Sequence, residues 1–271
     1  VNKLLAAFAT LMLLGALPVA AQAPGVVSVL YAGSLVTQME GPVKDALRSQ
    51  GIDFQGQPGG SKALAHFIDS GIKSPDVFIS VNPSLVTGLG AKVASATTFA
   101  GTSLGIGWSD KSKAASLFNG VAAGKTSITE ALSMPGLKIG RTDPNLDPKG
   151  AYTIEAMKML AGESGEHRIL GEDENSAQVF PEEDLLSRID LGEADAGFFY
   201  RTEAIARGLH FVELPGKASL RDKITYTLAI MKNAPHPAQA RAFARFILTG
   251  GGKPILKKAG IDYFENPNIV R

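Results

Sequence analysis

The feature that most constrains this 271-residue chain is a repeated step from apolar strand, through glycine and serine, into helix. The stretch "VVSVLYAG" (26–33) is a nearly unbroken apolar run of the kind that forms a strand buried on both faces. It passes into Ser34 and a helical pattern that places Leu35, Met39, Val43 and Leu47 at intervals of four. The step recurs where "IDFQGQPGG" meets "SKALAHFIDSG", with Ser61 in the place of Ser34, and "DVFISV" follows as a third strand. In the second half "LKIGRTDP" leads to the helix "GAYTIEAMKMLAGE", then to "EEDLLSRIDLGE", and "ADAGFFY" enters "RTEA". Strands alternating with helices specify an α/β fold of mainly parallel sheets flanked by helices, and the repetition specifies two lobes.

Two extended stretches break the alternation, "TSLGIGWSD" (102–110) and "ITYTLAIMKN" (224–233), and they are the expected β-rich hinge. The reading divides the chain into lobe 1, residues 22–104 and 230–271, and lobe 2, residues 105–229. A helical tail from Pro237 to Gly260, interrupted by "TGGGKP", is expected to return to lobe 1.

Residues 1–21 have the form of a secretory signal peptide: Lys3, an apolar run from Leu4 to Ala16, Pro18, then Val19 and Ala21 as small residues before the expected cut. The apolar run is shorter than the roughly 20 residues that span a bilayer, so the expected location is the periplasm. The chain has 27 basic and 26 acidic residues, and removing Lys3 leaves 26 of each. A neutral chain offers no field for nucleic acid. The absence of cysteine excludes disulfides and zinc–thiolate sites.

Ser34 and Ser61 each follow a strand and a glycine, where a helix N-cap belongs. Either serine alone reads first as a plain helix cap. Two such turns on neighbouring parallel strands would open both helix starts at the carboxyl edge of one sheet, where ligands bind. Hydroxyls, free N–H groups and helix dipoles there make an anion site without net charge. In "DPNLDPKGAYTIEAM", Asp147 and Pro148 form a turn and the amide of Ala151 is expected to face outward; a plain Pro/Gly turn with a capping aspartate is the alternative. "FFYRTEA" places Tyr200 at a strand end with Glu203 just inside the next helix.

Other signals fail. "GVAAGKTS" (120–127) has three residues between its glycines where a phosphate-binding loop needs four. Ser34 lacks the G-x-S-x-G frame of a hydrolase nucleophile, and His66, His167, His210 and His236 show no metal-ligand spacing. A serine hydrolase built on Ser34 is therefore the weaker, cross-class reading, and no enzymatic activity is expected.

"YAGSL", "GGS", "DPNLDPKGAY" and "YRTEA", in that order, resemble the periplasmic molybdate/tungstate-binding proteins of ABC importers, within the type II periplasmic binding proteins and particularly their tungstate-type branch. The resemblance implies a two-lobed fold whose cleft closes on a dehydrated tetrahedral oxyanion, molybdate or tungstate, with no cofactor and no bare metal cation. It implies Ser34 and Ser61 as donors from lobe 1, and the Ala151 amide and Tyr200 hydroxyl as donors from lobe 2. It implies two carboxylates that approach the metal centre of the oxyanion, Asp147 and, as the candidate for the second, Glu203. Lys149 stands where the family resemblance suggests cysteine, and Phe199 where relatives are polar. The implied partner is a permease in the inner membrane, and the protein itself is expected to be a monomer. A binder of phosphate, sulfate or another small anion is the nearer alternative.

Overall fold

The structure of the protein, a computed structural model, describes residues 25–173 and 175–271. The expected signal peptide and its cut after Ala21 lie outside the described residues. Among the described residues no helix is long and apolar enough to cross a membrane.

The chain begins in lobe 1 with β1 (Gly25–Ala32), a tight turn at Gly33–Leu35, α1 (Val36–Gln38), a wide turn at Met39–Val43 and α2 (Lys44–Arg48). It continues through β2 (Ile52–Gly59), α3 (Ser61–Asp69), β3 (Val77–Ser80), α4 (Pro83–Gly88) and β4 (Val93–Gly101). Lobe 2 holds β5 (Leu104–Trp108), α5 (Ala115–Ala122), α6 (Ile128–Leu132), β6 (Ile139–Gly140), α7 (Pro148–Leu170), α8 (Glu182–Leu191), β7 (Ala196–Tyr200), α9 (Arg201–Arg207) and β8 (His210–Glu213). The chain then returns to lobe 1 as β9 (Thr225–Met231), α10 (Pro237–Leu248), α11 (Gly252–Lys258) and β10 (Asp262–Ile269).

One helix expected from the four-residue spacing is broken. Gly41 takes φ −103° and ψ −109° before Pro42, because the proline ring excludes the helical conformation from the residue before it.

The larger sheet runs β10-β4-β9-β3-β1-β2 and the smaller β6-β7-β5-β8. Both are mixed rather than mainly parallel. β1 pairs in parallel with β2 and β3, and β6 with β7, whereas β4, β5, β9 and β10 join antiparallel neighbours. The antiparallel strands include those that carry the chain between lobes, because a strand that leaves one sheet and later returns enters from the opposite end. The expected boundary at residues 229 and 230 falls inside β9, which lies wholly in the larger sheet. The two crossings lie side by side, with the Thr102 N–H donating to the Ile224 carbonyl at 3.1 Å.

The apolar run of β1 is explained by its two buried faces. Val27, Val29 and Tyr31 pack into the main core with Met39, Val43, Leu47 and Phe243, while Leu30 packs on the other face with Leu64, Ile68 and Phe78. The register pairs Ala32 with Gly59, which sets the Gly33–Ser34 and Gly60–Ser61 turns next to each other at the carboxyl edge.

Candidate functional site

At that edge the two serines do not cap their helices. Gly60 is the N-cap of α3, with no side-chain cap bond, and Ser61 is the first helical residue. Ser34 lies inside the tight turn that begins at Gly33, again with no side-chain cap bond. Both side chains are buried. Ser61 Oγ accepts the Val81 N–H at 3.4 Å, which leaves its own hydrogen free to donate. Ser34 Oγ is 3.0 Å from the Tyr226 hydroxyl, which is 3.1 Å from Thr202 Oγ1.

Across the cleft, Asp147 is the N-cap of α7, and its Oδ1 accepts the Lys149 N–H at 3.0 Å. Pro148 occupies the first helical position, where its missing N–H costs nothing. Ala151 is the fourth residue of α7, in the first turn after the Asp147 cap. Tyr200 ends β7 with a buried hydroxyl that has no hydrogen-bond partner. Burial first, and then the charge of Asp147, lifts that hydroxyl's pKa well above the ordinary tyrosine value.

Glu203 has both oxygens engaged: Oε1 accepts the Lys149 ammonium at 2.6 Å, and Oε2 accepts the Tyr200 N–H at 2.7 Å. Those bonds fix the start of α9. The second carboxylate on the cleft is Glu182, the first residue of α8, which in the sequence is only part of the helical stretch "EEDLLSRIDLGE". Its Oε1 is buried without a partner, and its Oε2 is 4.0 Å from the Lys149 ammonium. A Cβ built on Gly33 would sit 2.6 Å from Glu182 Oε2, so the carboxylate of one lobe fits against bare backbone of the other.

A cavity of about 310 Å³ lies between the lobes, with Gly60 and Ala63 on one side and Thr142, Leu146, Asp147, Phe180 and Glu182 among its residues on the other. Of the six residues singled out in the sequence, Asp147 lines this cavity; Ser34, Ser61, Ala151, Tyr200 and Glu203 are not among its lining residues. The lobes touch at its rim, where the Lys62 ammonium donates to the Pro144 carbonyl at 2.6 Å and the Ala63 N–H to the Leu146 carbonyl at 3.3 Å. Burial raises the pKa of Asp147 against the pull of Lys149, and raises that of Glu182 further, with Lys149 again opposing and Glu203 adding to the rise.

The sequence pattern of bacterial extracellular solute-binding proteins matches residues 27–262. The chain belongs to this family. Among solute-binding proteins, a putative ABC transporter molybdenum-binding protein of Haloferax volcanii is 30% identical over 206 residues, covering 72% of this chain. The match spans 62% of that relative, less than two thirds of its length. The molybdate/tungstate-binding protein of Pyrococcus abyssi is 25% identical over 297 residues, covering 88% of this chain and 85% of its own. The solved periplasmic molybdate-binding protein of Azotobacter vinelandii shares the fold, with a TM-score of 0.68 at 19% identity over 89% of this chain and 99% of that one.

Proposed function

We propose that this solute-binding protein captures a tetrahedral oxyanion, molybdate or tungstate, between its lobes and delivers it to an ABC permease as a periplasmic monomer. The observation that carries the reading is the pair of carboxylates, buried Asp147 and largely buried Glu182, on one cavity wall. A carboxylate repels a dianion unless the dianion brings a proton or a centre that accepts oxygen ligands. Sulfate brings neither. Hydrogen phosphate brings a proton, and molybdenum and tungsten expand their coordination. Ser34, Ser61 and Tyr200 supply hydroxyl donors to the oxyanion's oxygens, and the first turn of α7 supplies an amide. Glu182 takes the part that the sequence resemblance had suggested for Glu203. The names of the relatives in Haloferax and Pyrococcus support the metal oxyanions over phosphate.

No catalytic step is proposed. Ser34 shares its hydroxyl with Tyr226, whose own pKa burial raises, and a protonated phenol is not a general base. Calorimetric titration of molybdate, tungstate, sulfate and phosphate tests the reading. Molybdate and tungstate are expected to bind at least about a hundredfold more tightly than sulfate, a difference of about 2.7 kcal/mol. Tight phosphate binding without molybdate binding would replace the ligand.

A further inference from the structure

The cavity between the lobes is acidic for a place that takes an anion. Of the described residues that line it, Asp143, Asp147 and Glu182 are acidic and none is basic. Lys62 brings a cation to its mouth from lobe 1. It is the second residue of α3, between Ser61 and the cavity-lining Ala63, and its ammonium crosses to lobe 2 to donate to the Pro144 carbonyl at 2.6 Å.

Both ends of that bond are anchored. Leu64, Ala65 and Ile68 bury one face of α3 in the core of lobe 1. Pro144 is buried in a turn closed by the Asp147 N–H on the Asp143 carbonyl at 2.9 Å and by the Asn145 N–H on Asp143 Oδ1 at 2.7 Å. Between these anchors only the lysine stem is flexible. A bond donated by an ammonium is stronger than one between neutral groups, and because its acceptor is a neutral carbonyl it does not cancel the lysine's charge. Separating the lobes breaks this bond and returns the ammonium to water. Losing the donor therefore penalises the closed cleft and not the open one, so its effect falls on the rate at which a bound solute escapes.

We infer that Lys62 is the latch of the cleft: by bonding, from the opposite lobe, the turn that ends in Asp147, it holds the mouth shut over the solute and sets how long an oxyanion stays bound. The inference rests on the oxyanion reading of the same cavity. Lys62 needs no contact with the ligand to do this, which makes it a positioning residue. The adjacent bond between the lobes, from the Ala63 N–H to the Leu146 carbonyl at 3.3 Å, joins backbone to backbone and survives any substitution of the lysine, so the latch can be removed without undoing the whole contact.

The test measures release and affinity separately, with isotope-labelled molybdate, for the wild type, Lys62→Met and Lys62→Arg. A chase with excess unlabelled molybdate gives koff, calorimetric titration gives Kd, and the two together give kon. Each is measured at about 0.1 and about 0.5 M salt, which differ in how far they screen an exposed charge. Circular dichroism checks the fold. Lys62→Met, which keeps a stem and loses the donor, is expected to release molybdate about tenfold faster or more at both salt concentrations, with kon changed by less than about threefold at the higher one. Lys62→Arg, which still donates, should release it at close to the wild-type rate. A wild-type koff in Lys62→Met would overturn the latch. So would a loss confined to kon and removed by salt, which would make Lys62 an attracting charge only, and so would equal acceleration in both variants, because the guanidinium retains the donor. A wild-type protein that binds neither molybdate nor tungstate would overturn the oxyanion reading itself, and this inference with it.

Discussion

The Ser34 and Tyr226 hydroxyls are 3.0 Å apart, and the second contact of Tyr226, with Thr202, makes a buried chain of three hydroxyls from one lobe to the other. Tyr226 belongs to β9, immediately after the second crossing, so the residue that holds Ser34 is itself part of the hinge. Tyr226→Phe removes the middle oxygen and leaves two buried hydroxyls unpaired. It is expected to destabilise the ligand-free protein by about 1–3 kcal/mol, measured by urea unfolding. An unchanged midpoint would mean that the three hydroxyls do not act together.

Ser34→Ala and Ser61→Ala address the ligand instead. Each is expected to weaken oxyanion affinity by about 1.5–3 kcal/mol, the range for hydrogen bonds to charged groups, with the fold intact. Ser61→Ala also removes the acceptor for the Val81 N–H, so it should cost some stability as well. Calorimetric affinities equal to the wild type in both variants would return the serines to a purely structural part.

Gly60 meets the other lobe through bare backbone. A Cβ at this position would lie 2.5 Å from the Leu146 carbonyl oxygen, and backbone cannot move aside as a flexible side chain can. Gly60→Ala is expected to fold normally and to resist closure: affinity falls, and the X-ray scattering radius at saturating ligand stays above that of the wild type. A radius that contracts as fully as the wild type's would refute the steric argument.

The raised pKa values of Asp147 and Glu182 fix the sign of a pH effect. A carboxyl whose folded pKa exceeds its unfolded value binds more protons when folded, so its contribution to stability is complete below the unfolded pKa near 4 and is lost as pH rises through the folded value. Ligand-free protein is therefore expected to lose thermal stability as pH rises from about 4 toward neutrality. Glu182→Gln should flatten that slope and raise the neutral-pH melting temperature. A slope unaffected by the substitution would assign it to other groups.

The alternation of strand and helix was legible because each element repeats at its own period, and the adjacency of Ser34 and Ser61 follows once β1 and β2 are read as parallel neighbours. The break at Gly41–Pro42 was written in the sequence too, but the apolar spacing runs through it unchanged. Glu182 was hidden for a different reason. Acidic residues are favoured at any helix start, so its presence there signals nothing, and its meeting with Gly33 depends on how two lobes 149 positions apart in sequence come together. Lys149 was read as a substitution in a turn; its burial depends on Glu203, which pairs with it from a different helix.

The position of β9 in the larger sheet has a consequence for the order in which the chain is made. Among the described residues β9 is the ninth of ten strands to emerge, yet it fills the gap between β3 and β4. Until residue 231 is available, β4 has no partner among the earlier strands, and the sheet exists only as the β3-β1-β2 fragment. Lobe 2, by contrast, is one continuous stretch whose four strands pair only with one another. A chain threaded amino end first, from a ribosome or through a membrane pore, can complete its second lobe while its first is still open. The half that emerges earliest is thus kept from locking into its final shape until nearly all of the polypeptide has passed.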